Sequence, residues 1–169
     1  MKLCVLAVAL SALIPIATAS DGDSIDSAIH AVYAVISGPA GGRDWARFRS
    51  MFAEGARLIP VRVTPQGSSA AAMTPEDYEK RAGASFGKTA FYESEVARRV
   101  ETFGNIAHVF STYESRRAPG EKPFARGINS FQLVKTGEGW KIMTILWDSE
   151  REGNPIPEKY LISPESASN

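Results

Sequence analysis

The chain has 169 residues, and its 19 Lys and Arg balance its 19 Asp and Glu. With no basic excess to neutralise a phosphate backbone and no long amphipathic stretch to lie on a lipid surface, neither nucleic acid nor a membrane is an expected partner. Two histidines, His30 and His108, and the single Cys4 do not make a metal-ligand set, and neither a glycine-rich phosphate loop nor a G-x-S-x-G elbow is present, so no metal or cofactor is expected.

Met1-Lys2 gives a minimal positive start, Leu3 to Ala17 is almost wholly apolar, and Ala17-Thr18-Ala19 has the small-x-small pattern of a signal-peptidase site. The apolar run contains Pro15 and is too short to span a bilayer. Residues 1–19 are therefore read as an export signal cleaved after Ala19, with a periplasmic or secreted destination. Cys4 leaves with the signal, so the remaining chain has no disulfide and relies on its own core. That remainder suits one domain, with residues 20–152 as the folded unit and 153–169 as a Pro-rich tail.

Ile25, Ile29, Val32, Tyr33 and Ile36 recur at helical spacing, with Asp23 or Ser24 as cap and Gly38-Pro39 as the stop. Asp44 can cap a second helix carrying Trp45, Phe48, Met51 and Phe52 on one face. Ala56 to Val63 is extended, with Pro60 marking an edge or a bulge, and Thr64 to Met73 is a loop of small residues. Thr74-Pro75-Glu76-Asp77 opens a third helix, with Thr74 capping and Asp77 reaching back. From Phe91 the period becomes two, giving strands at about 91–103, 106–117, 124–136 and 139–149 in two hairpins. The tail is expected to be irregular and pinned by Ile156, Tyr160 and Leu161.

A Gly104-Asn105 turn places Phe103 opposite Ile106, Glu101 opposite His108, Arg98 opposite Ser111 and Val96 opposite Tyr113. Val96, Arg98, Val100, Ala107, Val109, Ser111 and Tyr113 then form the buried face, while Glu93, Glu95, Phe110 and Glu114 face outward. Arg98 departs from that apolar pattern. Three roles suit it: snorkelling to water at the rim, an internal ion pair, or anchoring an acidic ligand. In the second hairpin, a turn at Gly137-Glu138 places Phe131 opposite Thr144, Asn129 opposite Leu146 and Gly127 opposite Asp148. Asn129, Thr144 and Asp148 would then share the core face at the end far from the turn, either as a pocket mouth or bonded to helices and water. The opposite face would carry Phe110, Ile128, Met143, Ile145 and Trp147, an apolar patch suited to a homodimer.

The stretches "DWARFRSMFAEGARLI", "GNIAHVFSTYESR" and "GINSFQLVKTGEGWKIMTILWDSE" resemble the nuclear-transport-factor-2-like, or SnoaL-like, superfamily, and specifically its small exported members of undefined activity. The resemblance implies an α+β cone, a curved antiparallel sheet packed over three N-terminal helices around an apolar cavity, usually dimeric through the outer face. It hosts isomerases, dehydratases and plain adaptors, so it does not by itself give a function. The ketosteroid isomerase tyrosine would fall on Tyr33, but the position of that branch's catalytic base falls on Pro60, which cannot accept a proton. That mechanism is therefore not carried over.

His108 pairs most simply with Glu101, and the directly opposed Glu95 and Glu114 read as an outer-face network with arginines. Three functions remain in view. The first is an exported cavity protein binding a small amphipathic or acidic ligand through Arg98, Ser111, Tyr113, Asn129 and Thr144. The second is an isomerase, dehydratase or hydrolase, with Asp148 as general base and Arg98 or Tyr33 stabilising an oxyanion. The third is a dimeric interaction module without a ligand.

Overall fold

The computed structural model describes residues 20–162. The expected export signal and the end of the tail (163–169) lie outside the described residues. Helix α1 (Ile25–Ile36) starts at a capping box in which Ser24 accepts from the Ser27 backbone and the Ser27 side chain returns the contact. Its apolar stripe, including Ile29, Val32, Tyr33 and Ile36, is buried. The glycine-rich loop that ends α1 wraps the Arg43 guanidinium, which donates to the carbonyls of Ile36 at 2.9 Å, Gly38 at 2.9 Å and Pro39 at 3.0 Å. Helix α2 (Trp45–Ser50) is shorter than its apolar spacing suggests, because Phe52 already begins strand β1 (Phe52–Thr64). Helix α3 (Pro75–Phe86) has the expected Thr74–Asp77 capping box and Pro75 in its first turn.

Strand β2 (Gly67–Ala70) lies in the segment read as a loop and folds back on the end of β1. Strands β3 (Tyr92–Phe103), β4 (Ile106–Arg116), β5 (Ala125–Thr136) and β6 (Gly139–Ser149) form the two expected hairpins. The sheet order is β2-β1-β6-β5-β4-β3. Since β1 joins β6 in parallel, the sheet is mixed and not wholly antiparallel. Pro60 is tolerated because β1 pairs with β2 only from Val61 onward, leaving the missing N–H without a partner strand on that side. The fold is α+β, three helices against one face of a curved open sheet.

Near the turns the register is the expected one: Phe103 pairs with Ile106, Glu101 with His108 and Arg98 with Ser111. A bulge between Glu95 and Ala97 then shifts β3 by one residue, so Tyr113 faces Glu95, not Val96, and Ser115 faces Glu93. One extra residue exchanges the two faces of everything beyond it. Glu93 and Glu95 consequently turn inward, and Glu114 faces Ser94. A second bulge in β6 shifts the ladder between the Leu133–Ile142 and Gln132–Thr144 pairs. Phe131 then faces Ile145, Asn129 faces Trp147 and Ile128 faces Asp148. Ile145 and Trp147 therefore belong to the inner face, while Thr144, Leu146 and Asp148 turn outward.

The core joins α1, Phe48, Leu58 and Phe86 to Val109, Phe131, Leu133, Ile142 and Ile145. Complete burial of side chains such as Phe131 contributes about 1.5–3 kcal/mol each. The tail crosses the outer face. Ile156 is buried, Thr112 donates to the Tyr160 carbonyl at 2.5 Å, and the Tyr160 ring lies 5.4 Å from that of Phe110. No helix among the described residues is long and apolar enough to cross a membrane.

Candidate functional site

Between the helices and the inner face lies a cavity of about 230 Å³. Val32 and Ile36 of α1, Phe48, Tyr78 of α3, Phe131, Ile145 and Trp147 supply most of its apolar wall. The rings interlock: Tyr78 stacks on Phe48 at 5.4 Å and meets Trp147 edge-on at 6.5 Å. Phe91 and Phe124, 6.3 Å apart, line the end nearest the β4–β5 connection. Phe124 is 49% exposed, so the cavity has its mouth there.

The polar groups on the wall are Glu93, Ser115, Asn129 and the tyrosines 78 and 113. Ser115 donates to Glu93 Oε2 at 2.8 Å, and Asn129 Nδ2 approaches Glu93 Oε1 at 3.5 Å, the long limit of a hydrogen bond. No cation is bonded to Glu93 among the described residues. Some of its surface stays accessible because the void opens onto it, but protein surrounds it, and desolvation pushes its carboxyl up to about 7. Burial likewise raises the Tyr78 and Tyr113 hydroxyls, with the Glu93 charge adding to it. Tyr113 reaches the wall by lying across Gly127, where an added Cβ would come within 2.6 Å of the tyrosine oxygen. Its hydroxyl is 3.1 Å from Ser149 Oγ.

Behind the wall a second polar cluster is fully engaged. Ser111 donates to Glu95 Oε1 at 2.5 Å, so the 2.7 Å contact between Tyr33 and Ser111 has Tyr33 as donor. Tyr33 in turn accepts from Asn129 Nδ2 at 3.0 Å. Glu95 collects the chain's donors and is balanced by Arg98, whose Nε donates to it at 2.8 Å and whose Nη1 meets Asp26 at 2.5 Å. Arg98 is thus held in an internal ion pair, one of its three expected roles. With its proton directed at Ser111, the Tyr33 hydroxyl does not point at the cavity, and burial holds it well above the usual phenol range.

Of the residues singled out from sequence, the structure brings Tyr113 and Asn129 to the cavity. Tyr33, Ser111 and Arg98 lie behind its wall. Thr144 and Asp148 are on the outer face, where Arg151 bonds Asp148 at 2.7 Å. Asp148 is not positioned as a base for the cavity. Glu95 does not oppose Glu114, which is instead held outside by Arg116 and by Arg126 at 3.1 Å. Of the expected dimer patch, Ile145 and Trp147 are inside and Phe110 is packed on Tyr160. The sequence pattern does not point to Glu93, Ser115, Tyr78 or Trp147 as site residues. Three of them sit beyond a bulge or opposite one. Ser115 does continue the inward parity of Ser111 and Tyr113, and for Glu93 the sequence clue is the unfavourable pairing that an unbroken register forces on Glu95 and Glu114.

No family model and no curated protein sequence matches the chain. Solved structures do. An NTF2-like protein of unknown function from Pseudomonas putida KT2440 shares 11% identity over 79% of this chain and 90% of the other, with a TM-score of 0.56. A candidate dehydratase of the NTF2-like family from Streptomyces avermitilis shares 13% over 75% and 94%, at 0.57. A candidate ketosteroid isomerase from Parabacteroides distasonis shares 12% over 78% and 96%, at 0.53. With TM-scores above 0.5 over three quarters or more of this chain and nine tenths or more of each neighbour, the chain has the nuclear-transport-factor-2-like, or SnoaL-like, fold.

Proposed function

We propose that this protein binds a compact, largely apolar small molecule in the cavity beneath α1 and α3, with Glu93 as the group that meets it. One observation carries the reading: a carboxyl with no bonded cation among the described residues faces a void lined by aromatic and aliphatic side chains. Burying an acid in that way costs stability, and such a group is favoured where a ligand uses it. The volume of about 230 Å³ falls below the roughly 300–1,000 Å³ of pockets for drug-sized ligands, so the occupant is small. Arg98 is not its anchor, and an acidic ligand is disfavoured beside Glu93.

The test is thermal stability against apolar compounds of about six to twelve non-hydrogen atoms, with wild type and Ala125→Phe run together. That substitution narrows the mouth from the start of β5 without touching Glu93. A shift in wild type that the variant loses is expected. No compound stabilising wild type over the variant would sink the reading.

A second reading is proton transfer on the bound molecule, as in an isomerase or dehydratase. A carboxyl near 7 is matched to giving and taking protons at neutral pH. The base is then Glu93. Deuterium exchange at the α-carbon of a bound ketone should follow the ionisation of Glu93 and stop in Glu93→Gln, and exchange that survives the substitution refutes it. Export through residues 1–19 and pairing of two copies through the outer face complete the proposal. The face left for pairing includes Ile128 and Leu146, the latter 39% exposed. Light scattering should give a dimer that Leu146→Lys converts to monomer, and a wild-type monomer excludes pairing.

A further inference from the structure

Resting on the small-molecule reading above, the composition of the cavity wall narrows the chemistry of its occupant. Among the described residues the wall contains one carboxyl, Glu93, and no Lys, Arg or His. Cations near it are used elsewhere. Arg98 is held by Glu95 and Asp26 behind the wall. Arg117 lies at the rim, 4.1 Å over Phe124, donating to the Ala90 carbonyl, and is exposed, where solvent and salt screen it. Among the described residues, then, the acid in the cavity has no counter-ion.

The oxygens of Glu93 are also incompletely used. An ionised carboxylate has about four acceptor positions. Ser115 takes one at 2.8 Å and Asn129 approaches another at 3.5 Å, which leaves room for a ligand's donors. Around the same void stand the rings of Tyr78, Trp147, Phe91 and Phe124. Their π-faces attract a positive charge and repel a negative one.

We infer that the cavity is selective for small organic ammonium ions, the protonated nitrogen set against the Glu93 carboxylate and the apolar body packed among Tyr78, Phe91, Trp147 and Phe124. Three charge classes are then ranked by the same wall. An ammonium gains an ion pair, hydrogen bonds and cation–π contacts. A neutral isostere gains only burial and a hydrogen bond, and an anion meets Glu93 unfavourably. Binding of the cation requires Glu93 to be ionised, so affinity rises with pH through about 7. The titratable groups that face Glu93 are Tyr33 from α1, Tyr78 from α3, Tyr113 from β4, and Glu95 of its own strand. Arg98 balances Glu95, and burial keeps the three phenols protonated over this range.

Calorimetry with benzylamine, benzyl alcohol and benzoate, three compounds of one shape, separates this inference from the reading beneath it. The expected result at pH 8 is benzylamine bound on the order of tenfold more tightly than benzyl alcohol, with benzoate weakest. That preference should disappear at pH 5.5 and in Glu93→Gln. At pH 7, titrations in buffers of different ionisation enthalpy should show about half a proton released per amine bound. Benzyl alcohol binding as well as the amine would overturn the charge selectivity while leaving the cavity reading intact. An amine preference unchanged in Glu93→Gln would overturn Glu93 as the counter-ion. Failure of all three compounds to bind would remove the cavity reading and this inference together.

Discussion

Glu93 holds its proton more tightly in the folded chain than in the unfolded one, because the cavity wall replaces water with hydrocarbon and two modest donors. A carboxyl raised from an ordinary 4.5 to about 7 means that the folded state binds the extra proton. Stability from this group is fully present below the unfolded value and is lost as pH rises through about 7. Integrated over that window the loss is about 3 kcal/mol. Glu93→Gln keeps the shape and removes the charge. It should therefore be more stable than wild type by up to ~3 kcal/mol at pH 8 and nearly equal to it at pH 4. Urea melts at the two pH values test this. An equal effect at both would mean that Glu93 is not the desolvated acid. Persistence of so costly a residue in the chain agrees with its use by a ligand.

At the scale of single elements, bulges decide which residues reach the site. The turns at Gly104-Asn105 and Gly137-Glu138 make the near-turn register legible, the parity of β4 and β5 places Tyr113 and Asn129 on the inner face, and helical spacing with the capping residues gives the helices. Legibility stopped at Val96 and Met143. In β3 the alternation of Val96, Arg98 and Val100 looks unbroken, so nothing in the period announces the extra residue. In β6, Ile142, Met143, Ile145, Leu146 and Trp147 are apolar at both parities, and a period of two cannot choose between them. A bulge changes no composition, only which face a residue takes, so an unbroken period puts Glu93 toward solvent and Asp148 toward the pocket. The same bulge closes the Glu95–Arg98 pair by turning Glu95 inward beside it. Arg98→Leu should therefore destabilise the fold, by about 2–3 kcal/mol since the pair still touches water. Adding Glu95→Gln should restore part of that loss by removing the stranded charge. A double-mutant cycle in urea measures it, and an Arg98→Leu chain as stable as wild type would show that the ion pair contributes nothing.

In the molecule as a whole, the sheet has different tasks on its two faces, and the tail belongs to the outer one. Arg99 donates to the Lys159 carbonyl at 2.8 Å and Thr112 to that of Tyr160, while the Tyr160 ring covers Phe110. Among the described residues the Pro-rich segment is thus a strap fixed by a few polar contacts and one ring pair, with Ile156 buried where it leaves the sheet. A chain ending at Pro157 loses those contacts and exposes Phe110 and Thr112. It should be less stable by about 2–4 kcal/mol, the sum expected of two net hydrogen bonds and an aromatic pair. Its cavity should be unaffected, since Glu93, Tyr78 and Trp147 lie on the other side of the sheet. The informative result is therefore a ratio: a lowered melting temperature with unchanged benzylamine affinity. If the truncation weakened binding as much as stability, the two faces would be coupled through the sheet, and the tail would have to be counted as part of the site.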